Sequence, residues 1–294
     1  MRYLHYILLL CMATCFWACE TEVVVKIPSE ANKPVINVLM NKDSIIYVRL
    51  TLSGTVAYSN TFHDITNATV QLFDNGQLKE TLTLRKVGLY NYFCSTTKME
   101  AGHTYKVRAD VDHLDVAEGT DVVPDSVVIG ELKRIEVPIN AVDMDNKVIL
   151  QLHDKAGERN YYRIRIFGAF VGAAWPDTTP IITKYGRPAS IKSDDLSFEL
   201  FDEGENEAIF MDDKLFDGRS PRFVFNLESK SQIQYLIVEV SSLSYDSYRY
   251  LKTSYLAVRK VDNPLTEKVL VFNNIKNGLG VVGGIAQREY ILPR

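Results

Sequence analysis

Apolar and polar side chains alternate with a period of two along much of this chain. Ile46, Val48, Leu50 and Leu52 are interleaved with Tyr47, Arg49, Thr51 and Ser53; Tyr105, Val107, Ala109 and Val111 are interleaved with Lys106, Arg108 and Asp110. Successive strand side chains point to opposite faces, so this pattern predicts half-buried strands. Ala68 to Phe73 and Leu78 to Leu84 flank Asp74-Asn75-Gly76. Asn-Gly favours a type I′ hairpin turn because both central residues take positive φ. Residues 34–124 therefore predict a meander of about seven short strands folded into a β-sandwich. Near its far end, Met99 to Tyr105 has the arrangement of a tyrosine corner, in which a Tyr opening a late strand hydrogen-bonds back to the preceding connection.

Pro124-Asp125-Ser126 interrupts the alternation, and Pro cannot donate to a ladder, which places a domain boundary there. Beyond it Val148, Leu150 and Leu152 lead into Asp154 to Arg159. Tyr162, Ile164 and Ile166 then return with Arg163 and Arg165 outward, a pattern that predicts a hairpin. Phe223 to Phe225 and Tyr235 to Val240 predict further strands of a second, sandwich-like β domain over 125–294. The stretch from Gly172 to Ser193, carrying Pro176, Pro180 and Pro188, reads as a long loop. One helix is expected, over 245–259. Tyr245, Tyr248, Leu251, Tyr255 and Val258 recur at helical intervals, with Ser244 as N-cap and the stripe packed on a sheet. The expected fold class is all-β with this one short helix.

The N-terminus follows a different pattern. Arg2 is the only charge before Glu20, and the uncharged run Tyr3 to Ala18 falls short of the roughly 20 residues that span a bilayer as a helix. Residues 1–18 read as a signal peptide. Phe16-Trp17-Ala18-Cys19 resembles the site cut by lipoprotein signal peptidase, which makes Cys19 the acylated first residue of the mature chain, followed by a tether over 19–33. Each buried acyl CH₂ contributes about 0.8 kcal/mol, so a multiply acylated Cys19 holds the protein on a membrane that it does not span. Glu20-Thr21-Glu22 resembles the acidic signal that sends such lipoproteins to the cell surface. Cleavage removes 18 of 294 residues and leaves 276, and Cys11 and Cys15 depart with the signal. With Cys19 acylated, Cys94 is the remaining thiol, and its place at the end of an apolar strand predicts a buried, inert group.

Composition narrows the partners. Apolar residues make up 46% of the chain, enough for large cores, and 33 basic against 37 acidic residues give a net charge of −4. That balance removes the electrostatic case for nucleic acid.

Signatures of catalysis are absent from the sequence: it has no His-Glu-x-x-His helix, no Gly-x-Ser-x-Gly elbow and no Walker A loop. The chain is expected not to be an enzyme and to use no cofactor. Gly278-Leu279-Gly280-Val281-Val282-Gly283 matches the dinucleotide fingerprint, but only 11 residues follow it, too few for the helix and second strand that mechanism needs. It reads as a bulged final strand. His63, His103, His113 and His153 lack metal-ligand spacing, and no metal site is expected. From Asp194 to Asp217 ten carboxylates face the single base Lys214, without the regular spacing of a Ca²⁺ loop. This reads as a solvated acidic loop and as the best candidate contact or ion-binding surface, with Asp202, Glu203, Asp212, Asp213 and Asp217 its candidate residues. Trp175, the one Trp of the mature chain, lies near Phe170 as a loop anchor or a stacking face for a glycan.

Gly88-Leu89-Tyr90 and the tyrosine corner resemble Ig-like and transthyretin-like modules, which specify fold rather than activity. A wider resemblance runs from Cys19-Glu20 through Asn67-Ala68-Thr69-Val70 and Asp154 to Tyr162. It continues through Asp212-Asp213-Lys214-Leu215-Phe216-Asp217-Gly218 to Asn273-Asn274-Ile275-Lys276-Asn277-Gly278-Leu279-Gly280. In this order the motifs are similar to a Bacteroidetes lipoprotein family catalogued as domain of unknown function 4249. The resemblance implies an accessory to uptake through a TonB-dependent outer-membrane receptor and carries over no site residues. A lipid-anchored binding protein for an unknown small ligand or glycan is thus the leading expectation. The alternatives are a structural surface lipoprotein and an envelope hydrolase using the carboxylates of 194–217.

Overall fold

The computed structural model describes residues 32–54, 62–138, 144–173, 179–193, 206–227, 233–260 and 268–294. The first half of the chain forms β1 (Pro34–Asn41), β2 (Tyr47–Leu52), β3 (Ala68–Asp74), β4 (Gln77–Thr81), β5 (Thr83–Val87), β6 (Tyr90–Cys94), β7 (Thr104–Val111) and β8 (Ala117–Val122). The second half forms β9 (Val128–Pro138), β10 (Met144–His153), β11 (Tyr161–Ala173), β12 (Pro180–Lys184), β13 (Ile191–Ser193), β14 (Ile209–Asp212), β15 (Arg222–Leu227) and β16 (Tyr235–Leu243). The helix α1 (Tyr245–Lys260) and the long β17 (Leu279–Pro293) complete it. The protein is all-β, as the alternation predicts, with one helix among the described residues. No helix among the described residues is long and apolar enough to cross a membrane.

Two sandwiches share one broad sheet, in which the strands run β12-β11-β16-β17-β1-β2-β6-β5, with β14 on the free edge of β11. The sheet β4-β3-β7-β8 covers one end of it and the sheet β13-β15-β10-β9 covers the other. Ile36, Val38 and Met40 of β1 meet Val70, Leu72, Tyr105 and Val107 in the first core. Ile164 and Ile166 of β11 meet Leu150, Phe223 and Phe225 in the second. The first core draws on residues up to Val123 and again on Ile275 and Val282, and the second begins at Val127.

The link between the halves is β17, which runs parallel to β1 from Val35↔Leu279 to Asn41↔Ile285 and antiparallel to β16 from Leu243↔Ile285 to Tyr235↔Pro293. The first sandwich is thus not the simple meander that its sequence suggests, because a strand from the far end of the chain completes it. Gly278 to Gly284 supplies the close approach: at φ +107° a Cβ on Gly280 would lie 2.1 Å from the Ile36 carbonyl oxygen. The fingerprint-like glycines therefore serve backbone packing in a strand.

Local turn chemistry behaves as expected in several places. Asn75 and Gly76 take φ +47° and +84° between β3 and β4. Tyr105 is fully buried, and its hydroxyl accepts the Glu100 N–H at 3.0 Å, closing the tyrosine corner. Ser244 caps α1, its hydroxyl accepting the Ser247 N–H at 3.1 Å. From the expected apolar stripe, Tyr248 and Leu251 pack on the sheet beside Tyr161 and Leu243, whereas Val258 is exposed. Cys94 is buried and unpaired with another Cys, and burial pushes its thiol pKa up.

Three expectations need correction. The single run Leu78 to Leu84 is broken at Leu82, whose N–H donates to the Val70 carbonyl while β4 and β5 enter different sheets. The hairpin expected between Leu152 and Tyr162 is an arch: β10 pairs with β9 and β15, and β11 with β12, β14 and β16, so the connection crosses from one sheet to the other. Alternation reports that each strand has a core face, and both layouts satisfy it. The loop expected over Gly172 to Ser193 contains the edge strands β12 and β13, with Pro180 opening β12, a position where Pro is tolerated.

Candidate functional site

The arch and the turn after β14 interlock. Asp154, the first residue past β10, accepts the Tyr162 hydroxyl on Oδ1 and the Gly218 N–H on Oδ2, the latter at 2.8 Å. Asp217 returns the contact by accepting the Gly157 N–H at 2.8 Å. Asp213 is buried, and its Oδ2 accepts the Asn160 N–H at 2.7 Å and the Asn160 amide at 3.3 Å. Gly157 and Gly218 both sit at positive φ, and a Cβ on Gly218 would come within 2.6 Å of the Ala156 Cβ. Burial, reinforced by the hydrogen bond and charge of Asp154, holds the Tyr162 phenol well above its ordinary pKa.

One ligand atom from each of Asp154, Asp213 and Asp217 lies within 4.8 Å of the others, a grouping that could touch a cation. Ca²⁺ takes six to eight oxygens, and each of these three carboxylates already accepts a backbone N–H from the opposing loop. The arrangement reads as a clasp that locks the arch to the turn. Asp212, the other expected member, instead pairs with Lys214 at 3.1 Å. Asp154 was not expected in the group, although its place at the head of the Asp-Lys-Ala-Gly loop was a usable signal. Cys19, Trp175, Asp202 and Glu203 lie outside the described residues.

A second group sits on the face of the shared sheet that turns away from the second core. Arg163 and Arg165 alternate with the buried Ile164 and Ile166, and Glu239 lies opposite Arg165 on β16. Glu239 is 2% exposed and accepts Arg165 Nε at 2.6 Å and an Arg163 guanidinium nitrogen at 3.3 Å, with Lys184 Nζ at 3.6 Å from its other oxygen. Arg163 also donates to Gln287 at 2.9 Å and Ser241 at 3.4 Å. Its Nε is buried with no partner among the described residues. Burial, together with the neighbouring Arg165, lowers the Arg163 pKa to about 10, so the guanidinium stays charged at neutral pH.

Above these arginines lies a cavity of about 210 Å³ between β11, β14 and α1. Pro188, Ala208, Phe210 and Leu251 give it apolar walls, and Glu207 and Tyr255 complete the lining. The Tyr255 hydroxyl is fixed by the Glu207 N–H at 3.0 Å and Arg259 at 2.9 Å. The outward placement of both arginines was legible in the alternation, but the burial of Arg163 was not. Its signal is Glu239, a lone charge inside the apolar run Leu236 to Val240.

No curated protein matches the chain. The family described as Domain of unknown function (DUF4249) matches residues 20–291, spanning the arch, the clasp, the cavity and the glycine-rich final strand. By that match over nearly its whole length, the chain belongs to the DUF4249 family.

Proposed function

We propose that the protein is a lipid-anchored envelope component that binds a ligand without transforming it, as an accessory to nutrient capture or uptake through a TonB-dependent outer-membrane receptor. The observation that carries the reading is Ala18-Cys19 behind an uncharged segment too short to span a bilayer. The family match begins at Glu20, directly after that Cys, which supports a mature domain starting there. The cavity over Arg163 and Arg165 supports the binding role, since a few convergent polar groups in an apolar recess are the usual form of a ligand site. Asp213 and Asp217 hold loop N–H groups, which favours binding over a hydrolase built on those carboxylates.

Affinity capture of the tagged protein from detergent-solubilised outer membranes tests the reading. A TonB-dependent receptor should be recovered with it, and recovery of the tagged protein with no receptor or other envelope partner would count against the reading. The interlocked clasp favours a second reading, a structural surface lipoprotein. The two separate on whether deletion changes growth on a defined nutrient, which the binding role requires.

A further inference from the structure

The geometry points to the cavity between β11, β14 and α1 as a binding site for small molecules that join one carboxylate to a short apolar body, with Arg163 and Arg165 as its anion anchors. This rests on the binding role proposed above and names its ligand class.

Three observations converge on it. Arg163 is 7% exposed and its Nε–H has no partner among the described residues. A buried donor left unpaired is costly, and natural folds retain one where water, an ion or a ligand supplies the acceptor or where strain is functional. Arg163 and Arg165 both line the cavity, and Glu239 faces both of them, so the floor carries two guanidiniums against one carboxylate. Lys184, the third cation at Glu239, is also occupied by Glu289. The floor groups, Arg163, Arg165 and Lys184 against Glu239 and Glu289, carry one positive charge more than they neutralise, Glu207 stands at the exposed rim, and a guanidinium fork matches the two oxygens of a carboxylate.

The walls set the rest of the ligand. Ala208, Phe210 and Leu251 offer no hydrogen bonds to its body, and the volume of about 210 Å³ corresponds to roughly seven waters at about 30 Å³ each. That suits a molecule the size of benzoate or a short fatty acid. Glu207 also lines the cavity and is exposed, which disfavours a doubly charged anion such as phosphate. The Arg163 guanidinium is held by Gln287 and Glu239 from two further strands.

The test uses the full chain purified in detergent, with ¹⁵N-labelled arginine, titrated with benzoate. The expected result is a saturable shift of the Arg163 and Arg165 Nε–H signals, with benzyl alcohol and inorganic phosphate binding at least about tenfold more weakly. Arg163→Gln should weaken benzoate at least about tenfold, but it strands Glu239 and can unfold the chain. Leu251→Trp therefore serves as the second variant: it fills the cavity from the helix, leaves the charges in place, and should abolish the shift. Unmoved arginine signals, equal binding of phosphate, or undiminished binding by folded Leu251→Trp would each overturn the proposal. Failure here leaves receptor capture untouched, and failure of receptor capture leaves this titration standing.

Discussion

The hydroxyl of Ser244 donates to the carboxylate of Asp121 while it accepts the Ser247 N–H, so one side chain caps α1 and ties it to β8 of the first sandwich. The same carboxylate accepts N–H groups of Gly284 at 2.8 Å and Val122 at 2.8 Å, bringing β17 into the junction. Burial dominates over these bonds and raises the Asp121 pKa from 3.8 to about 6.

A carboxyl whose folded pKa lies above its unfolded value favours the folded state most when protonated. Its contribution is therefore present below about pH 4 and is lost as pH rises through about 6, a change of about 3 kcal/mol. Denaturant unfolding of wild type and Asp121→Asn between pH 4 and pH 7 isolates it. The stability of wild type relative to the variant should fall by about that amount over the window. A difference that stays flat with pH would contradict this assignment.

The tyrosine corner makes a simpler case. Tyr105→Phe removes the acceptor for the Glu100 N–H and keeps the buried ring. A loss of about 1–2 kcal/mol in chemical denaturation is expected. An unchanged midpoint would show that water replaces the hydroxyl.

Glycines in β17 should be far less replaceable than a turn glycine. A Cβ on Gly284 would lie 1.9 Å from the Val122 carbonyl oxygen, whereas the space around Gly76 is open. Gly284→Ala should cost more than about 3 kcal/mol or prevent folding. Gly76→Ala, at φ +84°, should cost only about 1 kcal/mol. Comparable thermal midpoints for the two would contradict the close crossing of β8 and β17.

These cases mark where the sequence was legible. Asn75-Gly76, Tyr105 and Ser244 act through neighbours within a few residues, so local chemistry identifies them. Pairing across the chain is different: nothing near Val35 indicates that Leu279 lies beside it, and nothing near Leu152 distinguishes an arch from a hairpin. The clasp was half visible, since Asp213 and Asp217 stand out by charge while their partners Asn160 and Gly157 are about sixty residues away. The cavity was missed because its floor needs β11, β16 and β17 in register before Glu239 meets Arg163.

The clasp separates two adjacent carboxylates. Asp213→Ala leaves the Asn160 N–H unpaired and should cost about 2 kcal/mol, with faster hydrogen exchange over residues 154–160. Asp212→Ala breaks a partly exposed pair with Lys214 and should cost under about 0.5 kcal/mol. Added Ca²⁺ should leave the thermal midpoint of wild type unmoved. Equal losses at the two positions, or a Ca²⁺-dependent rise, would contradict a clasp held by hydrogen bonds.

The central claim, that this protein works from a membrane surface through an acylated Cys19, is tested most directly by metabolic labelling with an alkyne fatty acid. Wild type should incorporate the label and sediment with outer membranes, and Cys19→Ala should do neither. Unlabelled wild type in the soluble fraction would contradict the account.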